Sequence, residues 1–296
     1  MDTLRVFEPF PNLFAFYDGR VPGHRFLPQD NWVDAGAISL GIASYALVSG
    51  TRALVYDTHV SVAHAQAIRA DLERRGVREF TVIYSHWHLD HVAGTAAFTG
   101  AEVIANARTA AHLARLRPAI EAGTLEGPPA IAPLVLPTQV FSGALSFEFG
   151  GERVELIEAN IHSDDATLLW LPERGVLLAG DTVEDTVTFA DTPEDFAVHL
   201  TELDRVAGLG ARHILPNHGA PERIAAGGYG PGLIGATQRY IRWLTDNAAD
   251  PAAAEVPLAS IVAADIAAGD LVWWGEYEAV HDHNLGRARD WRLSGG

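Results

Sequence analysis

Apolar runs of four to six residues recur along the first two thirds of the chain, each bounded by Gly, Pro, Asp, Asn or Ser. Such runs read as strands with at least one buried face. Leu13 to Tyr17 is the first. Ser44 to Val48 and Ala53 to Asp57 flank Ser49-Gly50-Thr51-Arg52 and predict a hairpin. From Ser61 to Arg75 the spacing changes: Val62, Ala65, Ile68 and Leu72 fall on one face of a helix, and Gly76 stops it. Phe80 to Tyr84 and Glu102 to Ala105 are further strands, and Ala107 to Arg117 predicts a helix ended by Pro118.

Residues 118–143 are rich in Pro, Gly and Ala and predict a loop. Ala144 to Phe149 and Arg153 to Ile157 then alternate about Gly150-Gly151, the pattern of an antiparallel pair with one buried face. Ala166 to Leu171 and Val176 to Ala179 extend the set. Thr192-Pro193-Glu194-Asp195 predicts a helix start with a threonine cap, and Ile214-Leu215 a last short strand. Strands and helices in this repeating order predict two packed sheets covered by helices. Past residue 225 the composition shifts. Gly227 to Gly232 is a glycine-rich loop without the Lys-Ser/Thr ending of a phosphate loop. Residues 233–247 and 251–268 read as helical, and Trp273-Trp274 as aromatic core. The expected organisation is one α/β domain over residues 1–225 and a C-terminal helical extension over 226–296, packed on the same domain.

Composition narrows the chemistry. At 296 residues with 48% hydrophobic content the chain can bury a large core, and no apolar stretch is long enough to span a bilayer. The first residues lack a basic-then-apolar leader pattern, so the cytoplasm is the expected compartment. There is no cysteine. Disulfides and thiolate ligands are excluded, and any metal must be held by nitrogen and oxygen. The formal charge is −17, and all 21 cationic residues are arginine. That balance disfavours nucleic acid as a partner. A small-molecule substrate fits better, no membrane partner is expected, and self-association is left open.

The densest chemistry lies in Tyr84-Ser85-His86-Trp87-His88-Leu89-Asp90-His91, directly after an apolar strand. On extended backbone the rings of His86 and His88 point the same way. Asp90 and His91 follow where Val92 to Phe98 turns helical, so the second pair aims at a different point. Two ligands at each of two points suit two neighbouring cations.

The pattern His86-x-His88-x-Asp90-His91 resembles the signature of the metallo-β-lactamase superfamily, and the resemblance extends over roughly residues 13 to 220. His162 matches its third first-site histidine, Asp181 its bridging acid after an apolar strand, and His218 its last histidine. The resemblance implies a four-layer αβ/βα sandwich. It also implies two divalent ions, of zinc class or else iron or manganese. His86, His88 and His162 would hold one, Asp90, His91 and His218 the other, and Asp181 would bridge. A hydroxide between the ions would attack the substrate, with Asp90 also steering a proton. Asp57 matches an acid that orients a ligand histidine. His59 and His112 read as solvated, and Arg223 as a surface residue.

The implied activity is hydrolysis of a small ester, lactone, thioester or amide. β-Lactam hydrolysis is the alternative: His162 to Arg174 resembles the zinc β-lactamase segment, yet the lysine those enzymes use is missing. Redox chemistry and phosphodiester cleavage on the same fold are alternatives of other classes. Tyr229 would stand in for the tyrosine that lactonases carry near the bridging acid.

Overall fold

The computed structural model describes residues 3–295. Chain order gives β1 (Arg5–Phe10), β2 (Leu13–Asp18), a π-helical turn (Val33–Ile38), β3 (Ile42–Ser49), β4 (Arg52–Tyr56), α1 (Val62–Arg74), β5 (Glu79–Ile83), α2 (Leu89–Val92), β6 (Glu102–Asn106), α3 (Ala107–Ala122) and β7 (Gln139–Phe141). The second half follows with β8 (Ala144–Phe149), β9 (Glu152–Ile161), β10 (Ser163–Leu171), β11 (Val176–Gly180), α4 (Phe196–Ala207), β12 (His213–Pro216) and α5 (Pro221–Ala225). Four helices close the chain: α6 (Gly232–Asn247), α7 (Leu258–Ile261), α8 (Ala263–Ala268) and α9 (Tyr277–Leu293).

One sheet runs in simple order from β1 to β7, and the other in the order β12-β11-β10-β9-β8. Strands β4 to β7 are parallel, as are β11 and β12; the other pairs are antiparallel. Strand alternation sorts the side chains into two faces. Tyr45, Leu54, Leu156 and Leu169 point into the space between the sheets. Ala46 and Val55, one residue over, meet Ala65, Ile68 and Leu72 of α1 and Leu113 of α3. On the other side Leu168 and Trp170 share a core with Leu203, Tyr240, Ile241 and Tyr277. The result is the expected four-layer αβ/βα sandwich, with α4, α6 and α9 over the second sheet.

Three buried tyrosines of the first sheet fasten the two sheets together. Tyr17 donates its hydroxyl to the carbonyl of Gly219, Tyr45 to Pro216 and Tyr56 to Thr167. A phenol buried between sheets needs such an acceptor, since an unmade hydrogen bond there costs about 1–3 kcal/mol. All three acceptors lie near the edge where the parallel strands end.

Several sequence expectations need correction. Helix α3 runs through Pro118 and ends at Gly123, whose φ is +67°. Asn106 caps it by accepting from the N–H groups of Arg108 and Thr109. Pro118 lacks one N–H, but the left-handed turn that stops the helix needs Gly123. The loop expected over 118–143 therefore contains the helix end and β7. Thr192 makes no side-chain cap; a 3-10 turn, Pro193–Asp195, precedes α4. The helical stretch 251–268 is broken into a 3-10 turn, α7 and α8. Trp273 is exposed rather than core, while Trp274 donates its indole N–H to Ser39 O. β1 and α9 had no counterpart in the sequence reading. No helix among the described residues is long and apolar enough to cross a membrane.

Gly94 marks the tightest joint between α1 and the segment after the histidine cluster. A Cβ there would lie 2.0 Å from Thr58 O and 2.5 Å from Ala65 Cβ. Backbone cannot give way as a flexible side chain can. Gly94→Ala is expected to lower the unfolding free energy by about 1–3 kcal/mol. A reduced urea midpoint at unchanged slope would register it; a wild-type midpoint would show that the joint relaxes freely.

Candidate metal centre

The predicted ligands all gather at the C-terminal edge of the parallel strands. β5 ends just before His86, β11 just before Asp181 and β12 just before His218. His162 sits in the tight β9–β10 connection with φ +66°, which turns its ring toward the others. Open α/β sheets bind ligands at this edge because the strand-end loops are free to carry chemistry.

The seven residues meet in overlapping groups whose candidate ligand atoms lie within 4.8 Å of one another: His86, His88 and His162; His86, His91 and Asp181; Asp90, His91 and His218. Asp181 is central. Its Oδ2 stands 3.0 Å from His91 Nε2, 3.5 Å from His218 Nε2, 3.7 Å from His86 Nε2 and 3.8 Å from His162 Nε2. His88 Nδ1 lies 3.0 Å from His162 Nε2, and Asp90 Oδ2 3.2 Å from His218 Nε2.

Outer contacts orient the rings. Phe189 O takes the Nδ1–H of His162 at 2.9 Å, and Gly41 O that of His218 at 2.9 Å. Ser85 Oγ lies 2.9 Å from His86 Nδ1. Asp57 Oδ2 lies 2.9 Å from His91 Nδ1. In these four residues Nδ1 is engaged outward and Nε2 faces the centre. His88 is the exception and presents Nδ1. Asp57 stands behind His91; it also accepts from the N–H of Ser85 at 2.7 Å and the amide of Asn217 at 2.6 Å.

The donor set fits cations on two observations. His86 Nε2 and Asp181 Oδ1 are buried without a hydrogen-bond partner, a costly state unless something else engages them. The ligand types are imidazole and carboxylate, which suit zinc, iron or manganese. Electrostatics divide the histidines. Burial, aided by the neighbouring rings, pushes His86 well below its usual range and His88 down to about 3. Burial also acts on His91 and His218, but the carboxylates of Asp181 and Asp90 outweigh it and hold both well above. Against its own burial, Asp181 is held well below the carboxylate range by His91 and His218.

The centre forms the floor of a cavity of about 450 Å³. Trp32 and the π-helical turn form one wall, Trp87 and Glu126 another, and Phe189 with α9 a third. Several of these residues carried no sequence signal. Glu184 is the clearest: buried, it has Oε1 3.6 Å from His162 Nδ1, accepts from Phe189 N–H and the Tyr277 hydroxyl, and is pushed up to about 8 by burial and by Asp181. It lies in a run, 181–188, in which every residue is buried.

Other expectations change. His59 is fully buried rather than solvated and stacks on His64 at 4.5 Å, outside the centre. His112 is half-buried and paired with Asp164 at 2.7 Å. With Asp165 they form a separate acidic group, but Arg115 bonds the other ring nitrogen of His112, so that ring is already engaged on both sides. Tyr229 does not reach the cavity; its hydroxyl bonds Asp185 at 2.6 Å. Arg223 is a surface residue, as read from the sequence, and donates to Gly269 O.

Fold and centre together define a two-sheet α/β sandwich bearing a histidine–aspartate cluster at its loop edge. The family model of the metallo-beta-lactamase superfamily matches residues 39–219, and the chain belongs to that superfamily. It is 27% identical over 231 residues to an atrochrysone carboxyl ACP thioesterase of Aspergillus fumigatus, covering 72% of this chain and 66% of that protein. It is 23% identical over 208 residues to a linear primary-alkylsulfatase of a Pseudomonas strain, covering 57% of this chain and 39% of the relative. The chain thus spans less than two thirds of these relatives' length. A metallo-beta-lactamase from Pontibacter korlensis superposes with a TM-score of 0.61 at 16% identity, over 81% of this chain and 99% of that one. At that identity the likeness is one of fold.

Asp57→Asn keeps the shape and removes the charge behind His91. It is expected to weaken zinc retention by roughly 10–100-fold, measured by competition against a chromogenic chelator. Retention equal to wild type would remove Asp57 from the support of the centre.

Proposed function

We propose that this chain is a two-metal hydrolase of a small ester, lactone, thioester or amide. The observation that carries the reading is the gathering of seven side chains in overlapping groups at the floor of a cavity, four histidines of them around Asp181, with His86 Nε2 and Asp181 Oδ1 buried and unpartnered there. His86, His88 and His162 would hold one divalent ion, and Asp90, His91 and His218 the other, with Asp181 shared; zinc suits this set best. When bound, such ions lower the pKa of a water and polarise an acyl oxygen.

The chain's own residues do the rest. Asp57, Phe189 O and Gly41 O fix three rings so that Nε2 faces inward, which removes reorganisation from the reaction. Trp32, Trp87 and Phe189 shield the floor and hold the acyl part of the substrate. Asp90 has the most exposed carboxylate of the set and steers the proton from water toward the leaving group. The balance is simple. Water's oxygen joins the acyl carbon, the bond to the leaving oxygen, sulfur or nitrogen breaks, and that atom takes a proton. In this proposal residues 1–225 carry the ligands and 226–296 supply one cavity wall through α9. The thioesterase among the relatives makes a thioester the first substrate to try.

Purified protein is expected to carry about two equivalents of metal per chain, falling in Asp181→Ala. Chelation should abolish turnover on a panel of ester, lactone, thioester, β-lactam and phosphodiester. Turnover that survives complete metal removal would reject the mechanism, and turnover of the phosphodiester alone would reject the acyl reading.

A further inference from the structure

The cavity above the centre is lined without a single lysine or arginine. Its walls are aromatic and aliphatic, from Trp32, Trp87, Phe189, Leu40 and Val280. Apart from the centre itself and Glu184, which is buried against Phe189 and Tyr277, the carboxylates on them fall into two kinds. Asp191 is neutralised, 2.9 Å from His283 and 2.7 Å from Arg287. Glu126 and Glu276 line the cavity and take part in no ion pair among the described residues.

Two arginines from neighbouring segments are engaged elsewhere. Arg223 donates to Gly269 O and lies over Tyr229. Arg20 donates to the carbonyls of Leu40 and Asp185 and lies over Trp274. No arginine lines the cavity to receive a substrate carboxylate. A carboxylate entering would lose water against apolar walls and meet like charge at the exposed rim, from Glu276 and from Glu126, whose carboxyl burial and Asp90 push up to about 7. A cation would meet those same charges favourably, together with two indole faces.

Resting on the hydrolytic reading, we infer that this cavity selects acyl substrates that are neutral or cationic and discriminates against those bearing a carboxylate. Glu126 and Glu276 set that preference. The restriction acts on the organic part of the substrate and is separate from the cleavage chemistry on the floor.

Butanoyl thioesters of three thiols test it: thiocholine (a quaternary ammonium), N-acetylcysteamine (neutral) and 3-mercaptopropionate (a carboxylate). The metal-loaded full chain is used, and the released thiol is read with a chromogenic disulfide; the protein's lack of cysteine keeps that readout clean. At low salt the ammonium thioester should exceed the carboxylate one in kcat/KM by roughly 10-fold or more, and the ratio should shrink as salt is added. The double variant Glu126→Gln, Glu276→Gln should narrow the ratio several-fold. Glu173→Gln with Glu255→Gln changes the net charge equally on a distant surface and should leave the ratio as it was. Equal turnover of the three thioesters, or a ratio that both double variants move alike, would overturn the selectivity while leaving the hydrolase standing. Failure to cleave any acyl substrate of either panel would overturn both.

Discussion

The structure depends on one buried carboxylate that is not itself a ligand of the centre. Asp57 has no exposed surface and a φ of +62°, a conformation uncommon outside glycine. Its two oxygens take donors from three separate segments: the Ser85 backbone, the His91 ring and the Asn217 amide. A carboxylate taken out of water is costly unless such donors repay it. Asp57 therefore pins together the ends of β4, β5 and β12, the strand ends whose following residues carry five of the seven candidate ligands. The neighbouring Thr58 adds an N–H to His91 O at 2.7 Å. Strain at one residue is offset by order in the cluster above it.

The sheet-to-sheet contacts serve the same end. Had the first sheet carried phenylalanine in place of Tyr17, Tyr45 and Tyr56, the core between the sheets would still be apolar. The hydroxyls add direction. Each reaches a carbonyl in or beside the loops that bear His162 and His218. Ligands drawn from both sheets can hold a common geometry only if the sheets cannot slide, and these bonds resist sliding where it would matter.

Legibility from sequence followed the range of the physical signal. The histidine cluster is short and adjacent, so its chemistry is visible without a structure, whereas His162, Asp181 and His218 were pointed to only by the resemblance to the family's downstream pattern. Strands with alternating or continuous apolar residues were equally plain. The helix over residues 277–293 was not, although its buried positions Tyr277, Val280, His281, Asn284, Leu285 and Ala288 have helical spacing. Two of those six are polar, and a hydrophobic-period reading discounts them. They are buried because they bond inside the fold: His281 with the Tyr240 hydroxyl, Asn284 with Ala190 N–H and Thr188 O. His59 failed for the same reason, since a loop position implies solvent until packing removes it. The cavity walls were illegible because they join residues about 250 apart, from Trp32 to His283, a proximity that only the packed sandwich creates.

Charge balance explains how such a centre can exist inside a folded chain. Asp57, Asp90 and Asp181 lie in or beneath it, with few water contacts. Three carboxylates so close require compensating positive charge. The rings of His91 and His218 are held in their protonated range by those carboxylates, whereas His86, His88 and His162 are kept neutral by burial. The second triad can thus balance its acids with protons, and a cation entering there must displace them. The first triad is already in the neutral form that a cation would require. On the proposed two-metal reading, proton competition would fall unevenly on the two halves: the Asp90, His91 and His218 half would exchange protons for metal and the His86, His88 and His162 half would not, so acid would oppose filling of the second half.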